Sequence, residues 1–296
     1  MNVTSDRNGP PLAASSTWLS RVPQITEQNV RRVILEDARD MLEDGFDAVE
    51  LPIPLVGSLV ESLGAGFWQE IGGALREMGL EPLSVHGPNL PTLDADVAAT
   101  KRNLTHYARA CTALGVKALV VHPTSHTHPH VCTVLPRLLE RDIELALHIS
   151  DELGDGPTKL ALENLPTYSM RYLRELIGKL DRANIGVCFD TGHYNVRPEG
   201  AIADVIKALS QRIVHLHLTD NHGLCDEHLA PGAGNFPFDA LFAALPASWR
   251  TGPWLVELSA PIFTSDPDAL AKTRAIHRTA WELARRTLAR AVAGSL

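Results

Sequence analysis

Residues 213–234 read IVHLHLTDNHGLCDEHLAPGAG. The stretch opens with alternation: Val214, Leu216 and Leu218 fall on one face of an extended chain, and His215, His217 and Thr219 on the other. Asp220, His222, Asp226, Glu227 and His228 follow, all side chains able to bind a metal. Pro231-Gly232-Ala233-Gly234 then closes the segment with a turn-forming cluster that can bring backbone close to a ligand. One histidine on a strand is ordinarily a satisfied core residue. Several imidazoles and carboxylates at a strand end, and in the loop behind it, point instead to a site.

Outward from this stretch, the same unit of a short apolar strand and an amphipathic helix recurs. Strands are expected at Ser15–Ser20, Phe46–Leu51, Pro82–His86, Ala118–His122, Leu160–Asn164, Ile185–Asp190, Ile213–Thr219 and Trp254–Leu258. Helices are expected at Glu27–Glu43 (capped by Thr26, stopped by Gly45), Gly66–Met78, Asp94–Leu114 and Val134–Leu153. The remaining helices fall at Tyr168–Leu180, Ala201–Leu209, Phe238–Leu245 and Pro267–Ala293. Such alternation implies a parallel sheet covered by helices, and eight units without a linker fit a single α/β domain, a closed (β/α)8 barrel. A doubly wound open sheet is the alternative, but no GxGxxG follows the first strand. Residues 1–13, polar and bearing Pro and Gly, are read as a flexible tail, and residues 14–296 as the barrel domain.

The bulk properties narrow the partners. A chain of 296 residues with 45% hydrophobic residues can bury a sizeable core. Its net charge of −8 works against nonspecific affinity for nucleic acid or anionic membrane. No segment has the roughly 18 consecutive apolar residues of a membrane span. The N-terminal sequence lacks the regions of a signal peptide, and Cys111, Cys132, Cys188 and Cys225 are scattered without CxxC spacing. A reducing, cytoplasmic setting is therefore expected.

In such barrels chemistry sits at the carboxyl ends of the strands. Those ends carry His86, His122, Glu163, Asp190, His217 and Glu257, with His193 three residues past Asp190 and Asp226 and His228 in the loop after strand seven. Unpaired carboxylates and imidazoles gathered in one barrel mouth are costly to desolvate, and a divalent cation resolves that cost. Mixed carboxylate and imidazole ligands suit Mn²⁺, Co²⁺, Zn²⁺ or Mg²⁺. His126, His128 and His130 read as a solvated loop at the barrel mouth rather than an accessory metal tract. The basic residues of the last helix (Lys272, Arg274, Arg278, Arg285, Arg286 and Arg290) read as a solvated face.

Glu163-Asn164, Asp190-Thr191-Gly192-His193, His217-Leu218-Thr219-Asp220, Asp226-Glu227-His228 with Pro231-Gly232-Ala233-Gly234, and Glu257 carry a family resemblance. The chain resembles the xylose-isomerase-like TIM barrels, a superfamily of sugar isomerases and epimerases that includes the endonuclease IV group. The resemblance covers strands five to eight well and the first two units less. It implies a divalent metal held by residues matching Glu163, Asp190, His217 and Glu257, with the two glutamates as a proton-shuttling pair. It also implies that His193 and Glu50 lie near the substrate, although Glu50 reads equally as a salt-bridge partner. His86, His122, His193, Asp226 and His228 would bind substrate or additional metal.

The expected activity is sugar isomerisation or epimerisation of a ketose or keto-polyol by way of an enediolate. A free sugar is favoured over a sugar phosphate, because Arg and Lys are scarce at the strand ends. A homo-oligomer is an open expectation. The endonuclease IV branch is the alternative, because the nine residue types matching its zinc site are all present; a lyase or dehydratase on the same scaffold is another. Against the nuclease, the first strand reads Ser16-Thr17-Trp18-Leu19-Ser20 rather than Gly-Ala-His-Val-Ser, and Leu165-Pro166 follows Glu163-Asn164.

Overall fold

The computed structural model describes residues 10–16, 24–52, 57–91, 93–124, 131–258 and 269–294. Within them the strands are β1 (Leu12–Ser15), β2 (Ala48–Pro52), β3 (Glu81–Asn89), β4 (Ala118–His122), β5 (Lys159–Glu163), β6 (Ile185–Asp190), β7 (Ile213–His217) and β8 (Trp254–Val256). The helices are α1 (Val30–Glu43), α2 (Gly57–Met78), α3 (Val97–Leu114), α4 (Val131–Leu153), α5 (Met170–Lys179), α6 (Thr191–Val196), α7 (Ile202–Leu209), α8 (Phe238–Ala244) and α9 (Ala269–Gly294). Each strand pairs in parallel with the next, and β1 pairs with β8, Leu12 opposite Trp254 and Ala14 opposite Val256. The sheet is a closed barrel, so the open doubly wound alternative is excluded.

The strand period of two decides what each strand shows to either side. Outward positions such as Leu160 and Leu162 on β5, or Val187 and Phe189 on β6, join helical Leu173, Leu176 and Leu209 in one apolar core. Inward positions are apolar and mostly small: Ala13 and Ala48 meet the larger Leu83 and Leu255, while Ala118 and Val120 meet Ala161 and Cys188. Both faces are therefore buried, as parallel strands of this architecture require. One inward step further along, Ala48 leads to Glu50, Val120 to His122, Ala161 to Glu163, Cys188 to Asp190 and Leu255 to Glu257. The site is the next layer of the barrel interior above an apolar floor.

Several boundaries differ from the sequence expectation. The first strand is Leu12–Ser15, not Ser15–Ser20, so Leu12 and Ala13 belong to the sheet rather than to a tail. Residues 17–20 lie outside the described residues, as do 1–9 and the histidines of 125–130. α1 starts after Asn29, not after Thr26: the Thr26 amide donates to Asn29 Oδ1 at 2.9 Å and leaves Thr26 outside the helix. α2 begins at Gly57 and kinks at Gly64 (φ 67°). β3 continues past His86 to Asn89 through a register shift. α6 was not expected at all. The last helix is not a uniformly solvated face, since Arg274 reaches Asp40 (3.1 Å), Glu43 (2.8 Å) and Asp44 (3.2 Å) around α1. No helix among the described residues is long and apolar enough to cross a membrane.

α2 and α3 approach closely at Gly72, where an added methyl group would meet the Leu114 carbonyl oxygen at 2.5 Å; at Gly73 it would meet nothing within 4 Å. Gly72→Ala should therefore cost about 1–3 kcal/mol through overpacking against backbone. Gly73→Ala should be neutral or stabilise by up to about 1 kcal/mol. Urea unfolding of the two variants checks this, and equal effects would contradict the close approach.

Candidate active site

The inward layer brings Glu50, His86, His122, Glu163, Asp190, His217 and Glu257 together, and a cavity of about 340 Å³ beside them is lined by Glu50, His86, His122 and Glu257 together with Ser15, Pro52, His193, Asp226 and His228. β5 delivers Glu163, whose Oε2 lies 3.1 Å from His122 Nε2 and 3.6 Å from His86 Nε2. β6 delivers Asp190, whose Oδ1 accepts the His193 amide at 2.6 Å and so caps α6. Asn164 clamps β6 in place: its Nδ2 donates to the Asp190 carbonyl at 2.9 Å and its Oδ1 accepts the Asp190 amide at 2.8 Å. β7 delivers His217, with Nδ1 3.1 Å from Glu257 Oε2, 3.4 Å from Glu163 Oε1 and 3.8 Å from Asp190 Oδ2.

Four atoms at the centre of this arrangement are buried and have no hydrogen bond: Glu163 Oε1, Asp190 Oδ2, His217 Nδ1 and Glu257 Oε2. They are one atom each from the four residues that the resemblance implies for a metal. The carboxylate charges among them are met only by neighbouring imidazoles, His217 Nδ1 at 3.1 Å from Glu257 Oε2 and His193 Nδ1 at 3.0 Å from Glu163 Oε1, and leaving such buried atoms short of a hydrogen bond costs about 1–3 kcal/mol each.

Above this centre lies a second group. His193 Nδ1 is 2.8 Å from the Asn164 carbonyl, and its Nε2 is 3.1 Å from Asp226 Oδ2, which also lies 2.8 Å from His228 Nε2. His228 takes a left-handed backbone (φ 47°), a conformation rare outside glycine and often found at functional sites. Its loop is held by Asp220, which bridges Leu229 and accepts the amides of Gly232 (2.9 Å), Gly234 (3.0 Å) and Phe236 (3.0 Å). Asp220 therefore builds the loop instead of joining the cluster. His222 and Glu227 pair with each other at 2.9 Å away from the centre.

The electrostatics follow from the crowding. Burial and the neighbouring Glu163 and Glu257 raise Asp190 to about 6, against the pull of His193. Burial opposes charge on His86, yet Glu163, Glu257 and Glu50 push it up to about 9. His193 is likewise driven against burial to about 12 by Asp190, Asp226 and Glu163, and His228 to about 9 by Asp226 and Glu257. Burial works against Glu257 as well, but His217 and His228 hold it down at about 2. The carboxylates thus favour protonation of the imidazoles set among them.

A family model of xylose isomerase-like TIM barrels matches residues 38–280, most of the chain. The chain belongs to that family. Over 132 residues it is 29% identical to an uncharacterized protein of Methanocaldococcus jannaschii, covering 42% of this chain and 45% of that one. Over 192 residues it is 27% identical to a probable endonuclease 4 of Staphylococcus epidermidis, covering 57% of this chain and 63% of that one. The chain thus matches less than two thirds of the length of these curated relatives. Among solved structures, a D-allulose 3-epimerase from Methylomonas sp. superposes with a TM-score of 0.65 at 18% identity over 96% of each chain. The IOLI protein with a bound zinc atom superposes at 0.64 and 16% identity, over 97% of this chain and 99% of that one. At such identities these are likenesses of fold.

The sequence names Glu50, His86, His122, Glu163, Asp190, His193, His217, Asp226, His228 and Glu257 as candidates, but not Ser15 or Pro52 of the cavity wall, nor the supports of the cluster. Asn164 was read only as part of a motif, and Ser84, which donates to Glu50 at 2.7 Å, was not singled out. Removing the Asp220 acceptor should leave several loop amides unsatisfied. Asp220→Ala should therefore cost about 1–3 kcal/mol and speed amide exchange at Gly232, Gly234 and Phe236. Unchanged protection at those amides would contradict the assigned role of Asp220.

Proposed function

We propose that the chain is a divalent-metal-dependent sugar isomerase or epimerase that moves a proton beside the carbonyl of a ketose or keto-polyol. The convergence of the four unpaired buried atoms carries this reading. Three carboxylates and one imidazole, all inward and none with a hydrogen bond at the facing atom, fit a hard-to-borderline cation such as Mn²⁺, Co²⁺, Zn²⁺ or Mg²⁺. Glu163, Asp190, His217 and Glu257 would hold it. When bound, the ion supplies Lewis-acid charge for the substrate carbonyl and the neighbouring hydroxyl, which lowers the pKa of the intervening C–H. The epimerase and zinc-bound solved structures support the same direction.

The proton work falls to the chain. Glu163 and Glu257 come from β5 and from the end of β8, with the His217 ring between them. One removes the proton to give an enediolate, and the same residue or the other returns it. Return to the opposite face is epimerisation; return to the adjacent carbon is isomerisation. His86, His122 and His228 line the cavity as polar contacts for substrate hydroxyls, with His193 held between the Asn164 carbonyl and Asp226 beside them, in a space sized for a small polyol.

The nuclease reading has one observation in its favour: His193, Asp226 and His228 form a second group within ligand distance of one another. It requires zinc-dependent cleavage of abasic duplex DNA, and turnover of a ketose without such cleavage would remove it. A lyase or dehydratase would instead release water or a fragment.

Glu163→Gln and Glu257→Gln should each lose roughly 10²–10⁴ in rate while keeping part of the metal, because the other ligands remain. In D₂O the wild type should place solvent deuterium on the carbon beside the carbonyl. Turnover without deuterium would contradict the shuttle and favour a hydride shift.

Metal uptake should also depend on pH. Burial opposes protonation of His217, but the surrounding carboxylates raise its pKa well above that of an ordinary imidazole. A cation must displace that proton, so affinity should rise with pH, by up to about tenfold per unit for each proton displaced. Competition titrations with a chelator between pH 6 and 8 measure this, and a flat profile would contradict it.

A further inference from the structure

We infer that Glu50 is a positioning residue that acts through His217, fixing which ring nitrogen faces the centre of the site. The inference rests on the metal-dependent reading above and adds to it a residue outside the four ligands. Glu50 closes the floor of the cavity yet is 0% exposed. Its carboxylate is already engaged on both oxygens. Oε2 accepts from Ser84 Oγ at 2.7 Å and stands 3.2 Å from His217 Nε2, while Oε1 receives Ser15 Oγ at 3.4 Å. These contacts turn the carboxylate toward Ser84 and His217.

An ionised carboxylate is acceptor-only, so the nitrogen hydrogen-bonded to it must carry a proton. That nitrogen is Nε2. A neutral imidazole has one N–H, and placing it on Nε2 leaves the Nδ1 lone pair directed at Glu163, Asp190 and Glu257. The ring is fully buried with Glu50 in place, so in the wild type that carboxylate, and not bulk water, is the acceptor beside Nε2. Without Glu50 the proton is better placed on Nδ1, where the carboxylates accept it, and in that form His217 cannot ligate. Outer partners that orient a ligating imidazole in this way typically change metal affinity 10–100-fold. His215 also faces Glu50, Nε2 at 3.5 Å, without completing a hydrogen bond, so the stronger claim on that oxygen is the one from His217.

The test uses the full chain, stripped of metal and titrated with Zn²⁺ against a chromophoric chelator, together with ¹⁵N-histidine NMR of the metal-free and Zn²⁺-loaded protein. Glu50→Ala should weaken Zn²⁺ binding about 10–100-fold. It should also abolish the exchange-protected Nε2–H signal of His217. Glu50→Gln keeps an acceptor oxygen and should restore the signal and much of the affinity, a rescue that a merely space-filling role would not show. Ser84→Ala leaves the Glu50–His217 contact in place and should stay within about threefold of wild type. Unchanged Zn²⁺ affinity in Glu50→Ala, or no protected Nε2–H in the wild type, overturns the inference. Should Glu50→Ala fail to fold, Glu50→Gln and the wild-type spectrum still decide it. Absence of Zn²⁺ uptake by the wild type would sink the functional proposal instead, while the Nε2–H signal of the metal-free protein would still judge Glu50.

Discussion

Like charges buried at short range in a barrel mouth are the constraint on which the rest of this structure depends. Glu50, Glu163, Asp190 and Glu257 stand within one inward layer, three of them fully buried. Such a set is tolerable only with positive charge among it. The chain offers imidazoles, whose protonation the carboxylates favour, and a centre where one atom from each of four residues is left without a hydrogen bond. Protons on the imidazoles are one answer to that cost; on the proposed metal-dependent reading a divalent cation is the other, and exchange between them would link metal uptake to pH. The second group, His193 with Asp226 and His228, extends this balance upward to the cavity wall.

The barrel supplies the precision. Small inward residues such as Ala48, Ala161 and Cys188 form the floor, and the next inward residues of those strands are Glu50, Glu163 and Asp190. Asp190 pairs in register with His217, and Glu163 with Cys188. Bonds behind the site then fix what the strands deliver. Asn164 ties β5 to Asp190, Asp190 caps α6, and Asp220 shapes the loop that carries Asp226 and His228. Because each of these supports uses one oxygen or nitrogen of a polar group, they also determine which atoms remain free to face the centre.

Much of this was legible in the sequence, for a physical reason. Strands buried on both faces show up as short apolar runs, and a polar residue at the inward end of such a run has few uses other than chemistry. β4 and β6 match their expected limits, and the inward ends named Glu163, Asp190 and His217 directly. What escaped depends on contacts distant in sequence or on elements too short to show a period. β1 is Leu-Ala-Ala-Ser, with little strand propensity, and is a strand because β2 and β8 flank it. α6 has six residues and is nucleated by the Asp190 cap. Glu50 and His217 are 167 residues apart, so no local pattern could pair them. Asp220, His222 and Glu227 looked equivalent to Asp226 and His228 in sequence, yet the loop turns them to its own framework.

The central claim is that Glu163, Asp190, His217 and Glu257 form one metal centre. Anomalous diffraction from crystals of the full chain grown with Zn²⁺ or Mn²⁺ tests it most directly. The account predicts a peak within bonding distance of Glu163 Oε1, Asp190 Oδ2, His217 Nδ1 and Glu257 Oε2. No peak there, or density only at His193, Asp226 and His228, would contradict it.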